Sequence, residues 1–321
     1  MSFLTESSTH TWQPTTTSDT TTPSYWLNWR FFLCAVWILI SLTFASFLIL
    51  KHEGFKKTRP DQRGENQAGL VYEDEAWNTC LIGIDPSWLL IYRVISFIVL
   101  LALIIANVAA EGAGIFYFYT QLTFSLLTIY FGLGSLFSLY GCLFKQNKFE
   151  DRGANSAAFD TELGTYHTRK IAGVWGYIFQ ILYQTCAGAV LLTDSVFWFI
   201  IYPIRTNKDY GLDFLIFCMH TINAVFLLGD TSLNCMRFPM FRIAYFVLWT
   251  AAFVIFQWII HACFSIGWPY PFLDLSSKYA PLWYLAVGLM HFPCYGFFAL
   301  VVTVKHSWLS KSFPGSSRFE G

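Results

Sequence analysis

The chain reads as an all-α membrane protein, a polytopic bundle of about seven transmembrane helices, and three observations predict this class. First, 55% of its residues are hydrophobic and only 12% are charged, against roughly 25% charged in soluble domains. Second, the apolar residues collect into runs of about 20, the length that crosses roughly 30 Å of hydrocarbon as helix. Third, lysine and arginine favour alternate connecting segments, the asymmetry that sets orientation in a membrane.

Residues 1–30 are polar and rich in Ser and Thr, the composition of a disordered tail. No basic segment precedes the first apolar run and no small-residue cleavage site follows it, so that run is expected to be a retained helix. The spans are expected at 31–50, 89–109, 117–144, 173–204, 214–229, 243–267 and 281–304. The fourth is long for one crossing, with a tilted or interfacial end near Phe197, Trp198 and Pro203. Residues 51–87, holding both a basic and an acidic cluster, are expected to form a polar loop, and residues 306–321 a cytosolic tail.

When the connecting segments are numbered alternately, 16 of the 20 basic residues fall on one side, leaving Arg30, Arg205, Lys208 and Lys278 on the other. The N-terminus is therefore expected outside or in a lumen and the C-terminus in the cytosol, in the plasma membrane or the endoplasmic reticulum. A net charge of zero gives no reason to expect nucleic acid as a partner. The eight cysteines are scattered without zinc or redox spacing. No cofactor is expected, and the expected partners are membrane lipids and a lipid substrate.

Polar side chains at membrane depth are costly and normally face the bundle interior. In the fifth run His220, Asn223, Leu227, Asp230 and Asn234 follow helical spacing along one face, with Asp230 near the cytosolic interface. The fourth run lines up Gln180, Gln184 and Asp194, the sixth Gln257 and His261, and the third Tyr119, Thr123 and Tyr130. Thr123 and His220 each lie about six residues, roughly 9 Å, from the same side of the bilayer. Gly132 and Gly134 read as close-packing positions, and residues 268–274 (WPYPFLD) as a rigid outer loop.

A hydroxyl beside an imidazole at matched depth points to ester hydrolysis. A neutral hydroxyl attacks a carbonyl poorly unless a base takes its proton, and imidazole can do that and return it to the leaving alcohol. Thr123 is the candidate nucleophile and His220 its base. Asp194 and His261 are expected in support, Asp194 by fixing an imidazole tautomer. Two other classes compete. A haem or metal protein would use His220, His261 and His291, but no HxxxH or CxxC spacing occurs. A transporter, receptor or adhesion scaffold would also carry intramembrane Asp and His, though no internal repeat relates the spans.

Three segments carry a family resemblance across about residues 88–305: Gln121-Leu122-Thr123-Phe124, Met219-His220-Thr221 and the 268–274 segment. They resemble the androgen-induced membrane proteins that hydrolyse fatty acid esters of hydroxy fatty acids, together with the rolling stone relatives and, in FGLGS and HTINAVFLLGD, plant members. The resemblance implies a six-span hydrolase domain with Thr123 as nucleophile and His220 as catalytic histidine. It leaves residues 1–87, with the extra span at 31–50, outside the animal pattern. Rolling stone relatives act in cell fusion, so the resemblance also allows a non-enzymatic role.

Overall fold

The computed structural model describes residues 19–54, 71–155, 171–203 and 214–316. The expectations for residues 1–18, for the basic cluster near 56–63 and for the last five residues lie outside these. Seven helices are long and apolar enough to cross a membrane: Trp29–Glu53, Pro86–Glu111, Tyr119–Leu143, Val174–Ile201, Phe214–Leu233, Met240–Cys263 and Ala280–Ser312. They are the first to seventh spans below, in the predicted order, and no strand occurs among the described residues. The chain is an all-α, multi-pass integral membrane protein.

Local chemistry sets the ends of these helices. The Asn28 side chain accepts from the backbone N–H groups of Arg30 and Phe31, capping the first span. Asp85 caps the second through Ser87 N–H, with Pro86 at the first helical position, where its missing N–H costs nothing. The second span ends at Gly112, whose positive φ of 79° suits a residue without Cβ. Pro293 lies inside the seventh span, a placement that membrane helices tolerate when neighbours satisfy the freed backbone.

The fourth span is the hub. Its most apolar stretch is 61% buried, against 11% for the first span. On one side it meets the third and fifth spans, which pack with the second; on the other it meets the sixth and seventh, against which the first span lies. Gly188 lets it approach the sixth span, since a Cβ there would come within 2.4 Å of the Phe246 ring. Gly132 and Gly134 serve likewise, closing on Phe97 and Arg93 of the second span.

Four expectations need correction. The polar tail is folded where it is described: Tyr25 is buried, and its hydroxyl donates to Asp274 at 2.7 Å while accepting from Trp268 and from Leu275 N–H. The acidic cluster of the 51–87 segment does not simply face water, because Glu75 is buried and takes two hydrogen bonds from Arg237. The fifth span is not one regular helix; it breaks at His220 and Thr221, between Phe214–Met219 and Ile222–Leu233. Asp230 does not reach the interface. It is fully buried and paired at 2.7 Å with Arg93, itself fully buried. The fourth run does change character at Phe197, where five residues of π-helix, Phe197–Ile201, follow the α-helix.

Candidate functional site

The end of the bundle bearing residues 268–274 is taken as the upper end. Thr123 lies about one turn into the third span from that end. Hydroxyls in membrane helices commonly donate to the carbonyl one turn back on their own helix, as Ser41, Thr43, Ser96, Ser125, Thr128 and Thr193 do. Among the described residues Thr123 makes no such bond. Only 1% exposed, its hydroxyl faces other side chains. Trp249 Nε1 of the sixth span donates to it at 3.5 Å, the long limit of a hydrogen bond. Tyr119 stands one turn back on the same face, its hydroxyl bonded to Thr250 rather than to Thr123.

A second set of polar contacts starts at Tyr119. Its hydroxyl is 2.8 Å from Thr250 Oγ1, which is 2.8 Å from His291 Nε2 of the seventh span. His291 Nδ1 faces the Val287 carbonyl of its own helix at 2.9 Å. Sequence reasoning missed Trp249 and Thr250 and placed His291 only in the haem alternative. The available signal was their polarity inside otherwise apolar runs, which says that a partner exists but not which one.

His220 stands where the fifth span breaks. The break frees its carbonyl to accept from Trp198 Nε1 at 2.9 Å. Its imidazole stacks on Phe197, with ring centroids 3.7 Å apart and planes 2° from parallel. Nδ1 lies 3.5 Å from Asp194 Oδ1, a separation of ion-pair contact rather than a formed hydrogen bond. The same carboxylate oxygen accepts from Asn223 Nδ2 at 3.0 Å. Asp194 occupies the last α-helical turn before the π-helical segment, and such segments recur at functional sites because they re-aim side chains. Asp194 is thus placed beside His220, without the hydrogen bond by which it was expected to fix an imidazole tautomer.

His261 stands elsewhere. Its ring lies flat on Trp268, with centroids 3.6 Å apart, and its nitrogens meet the Gln257 carbonyl at 2.7 Å and the Tyr117 hydroxyl at 2.9 Å. These contacts brace the upper loop. His220, His261 and His291 therefore have three separate sets of partners.

No hydrogen bond joins Thr123 to His220. Their spans are tied lower down, where Tyr130 of the third span donates to Asp230 of the fifth. Thr123 is seven residues above Tyr130, about 10 Å along the helix and within about 20° of the same face. His220 is ten residues above Asp230, about 15 Å at helical rise. Both Thr123 and His220 therefore lie above that tie. Phe124 and Met219, their chain neighbours, both belong to a buried apolar cluster shared by several spans.

The pair Arg93 and Asp230 holds this arrangement from below. Arg93 also donates to Ser138 at 2.9 Å and to the carbonyls of Ala76 and Gly134, while Asn234 donates to Asp230 at 2.8 Å. Three spans and the segment before the second are thereby fixed to one charge pair.

No protein-family model, curated protein or solved structure matches the chain.

Proposed function

We propose that the protein is an intramembrane hydrolase of lipid esters, such as fatty acid esters of hydroxy fatty acids, with Thr123 as nucleophile and His220 as its acid–base partner. The observation that carries this reading is the Thr123 hydroxyl: buried, released from its own helix and met by an indole N–H. A threonine with only a packing role satisfies its hydroxyl on its own backbone, as its neighbours do.

In this reading an ester entering from the lipid places its carbonyl carbon against Thr123 Oγ1. Its alkoxy oxygen lies toward His220, which makes no direct hydrogen bond to Thr123 and leaves the ester group to stand between them. The His220 imidazole, facing Asp194, takes the Thr123 proton and passes it to the departing alcohol. Trp249 Nε1, already directed at Thr123, is placed to donate to the carbonyl oxygen as negative charge develops there. Water then releases the acyl group. The orientation with the C-terminus in the cytosol puts this site in the outer or lumenal leaflet, of the plasma membrane or the endoplasmic reticulum.

The test is labelling of membranes with a fluorophosphonate probe, alongside fatty acid release from a branched hydroxy-fatty-acid ester by purified protein. Thr123→Ala and His220→Ala, shown to be folded, should each lose nearly all turnover. The double variant should be scarcely worse than either, because the two act as a unit. Wild-type turnover in either single variant refutes the mechanism. Absence of wild-type activity on every lipid ester tried leaves a scaffold or transporter as the better reading.

A further inference from the structure

A groove between the lower ends of the fifth and seventh spans takes no part in the chemistry above. It encloses about 510 Å³, and its lining is apolar except for Ser232 and Lys305. Leu300, Val304 and Trp308, four residues apart along the seventh span, form one stripe of its wall and are exposed on the outside of the bundle.

Lys305 supplies the polar end. Its ammonium donates to the carbonyls of Thr231 at 2.8 Å and Asn234 at 2.9 Å, where the fifth span ends. A lysine on the last carbonyls of a helix is a common capping device, and it accounts for two of the three N–H donors of an ammonium. Both acceptors are neutral. Among the described residues no carboxylate pairs with Lys305: Asp230 is taken by Arg93 and Glu75 by Arg237. Ser232 gives its own hydrogen to the Leu228 carbonyl at 2.9 Å. One N–H and a full positive charge are thus left to the groove that Lys305 lines.

We propose that this groove binds one anionic phospholipid, its phosphate against Lys305 and an acyl chain along Val304 and Leu300. Charge and depth choose this occupant. Leu300 lies five residues, about 7 Å, nearer the middle of the span than Lys305, so a chain leaving the head group runs into hydrocarbon. Trp308 lies three residues the other way, toward the level of the head groups, where indole rings collect. A free anion would satisfy the ammonium and leave the apolar wall bare, whereas an uncharged lipid would cover the wall and leave the ammonium unpaired. The 16 basic residues that share this side put it in the cytosol, the leaflet whose acidic phospholipids bind basic pockets between membrane helices. The inference uses that orientation and is independent of the role given to Thr123.

Native mass spectrometry of the purified full-length protein, titrated with dioleoylphosphatidylglycerol, counts bound lipid and gives the affinity of the first molecule. Wild type should retain one phosphatidylglycerol, and phosphatidylcholine with the same chains should bind about tenfold more weakly. Lys305→Gln should weaken phosphatidylglycerol binding about tenfold, the scale of one hydrogen bond to a charged group, while Lys305→Arg stays within about threefold of wild type. Val304→Trp fills the groove without touching the bonds of Lys305, and it too should weaken binding about tenfold. If Lys305 serves only to cap the fifth span, Lys305→Gln lowers the folded yield and leaves the lipid affinity of the folded fraction unchanged, which overturns the proposal. Should Lys305→Gln not fold at all, Val304→Trp and the comparison of the two lipids decide. Equal binding of the two lipids, or wild-type affinity in Val304→Trp, overturns the proposal as well. Displacement of the phospholipid by an equal concentration of oleate or of inorganic phosphate would assign the groove to a fatty acid or a free anion instead.

Discussion

Replacing Asp230 by alanine should be among the most damaging single changes to the fold. The Asp230 carboxylate and the Arg93 guanidinium are both fully buried and 2.7 Å apart. Asp230 also accepts from Tyr130 and Asn234. Alanine removes the counter-charge and leaves the guanidinium with only Ser138 and two backbone carbonyls as acceptors. Breaking one side of a buried pair costs about 3–5 kcal/mol, because the surviving charge stays desolvated. At roughly 2 °C per kcal/mol for a chain beyond 150 residues, melting should fall by at least about 6 °C. Intrinsic tryptophan fluorescence during heating in detergent measures it. The double variant Arg93→Met with Asp230→Leu removes both charges and should melt higher than Asp230→Ala alone, since apolar replacement of a whole pair is often neutral. A melting temperature for Asp230→Ala within about 2 °C of wild type would refute the reasoning. So would a double variant less stable than the single one.

Three further outcomes are expected. Asp194→Asn should lower turnover more than it lowers folded yield, because the carboxylate faces His220 without a formed bond; equal losses, measured by assay and by size-exclusion yield, would make Asp194 structural. Tyr25→Phe should free residues 268–276, with faster amide hydrogen exchange and a loss of about 2–3 kcal/mol, roughly 1 kcal/mol for each of the three hydrogen bonds at its hydroxyl. Burial and the adjacent Asp274 raise the Tyr25 pKa above its ordinary value of 10. Its contribution should therefore hold at every pH below about 10 and fade only as pH rises above that. For topology, protease added to sealed right-side-out vesicles should remove an N-terminal tag and spare a C-terminal one; the reverse would overturn the orientation drawn from basic residues.

The spans were legible in the sequence because transfer of a helix into hydrocarbon is a sum over its own residues, needing no knowledge of neighbours. The prediction for the first span differs from the observed helix by only two or three residues at each end, the difference being set by Asn28 and Gly54. The polar stripes were legible for the same local reason, and Tyr119, Thr123 and Tyr130 do share a face.

Partnership was not legible. Helical spacing put His220, Asn223 and Asp230 on one stripe, yet the break at His220 and Thr221 turns His220 toward Asp194 and Phe197 while Asp230 goes to Arg93. Glu75 and Arg237, 162 positions apart, meet only because the segment before the second span folds under the bundle. His261 and His291 look alike in sequence, each one imidazole in an apolar run. One braces a tryptophan in the upper loop, and the other meets Thr250 and through it Tyr119. Insertion is decided helix by helix against a uniform solvent. Which buried polar atom satisfies which is decided jointly by all seven helices, because each hydrogen bond depends on the rotation, depth and interruption of two of them.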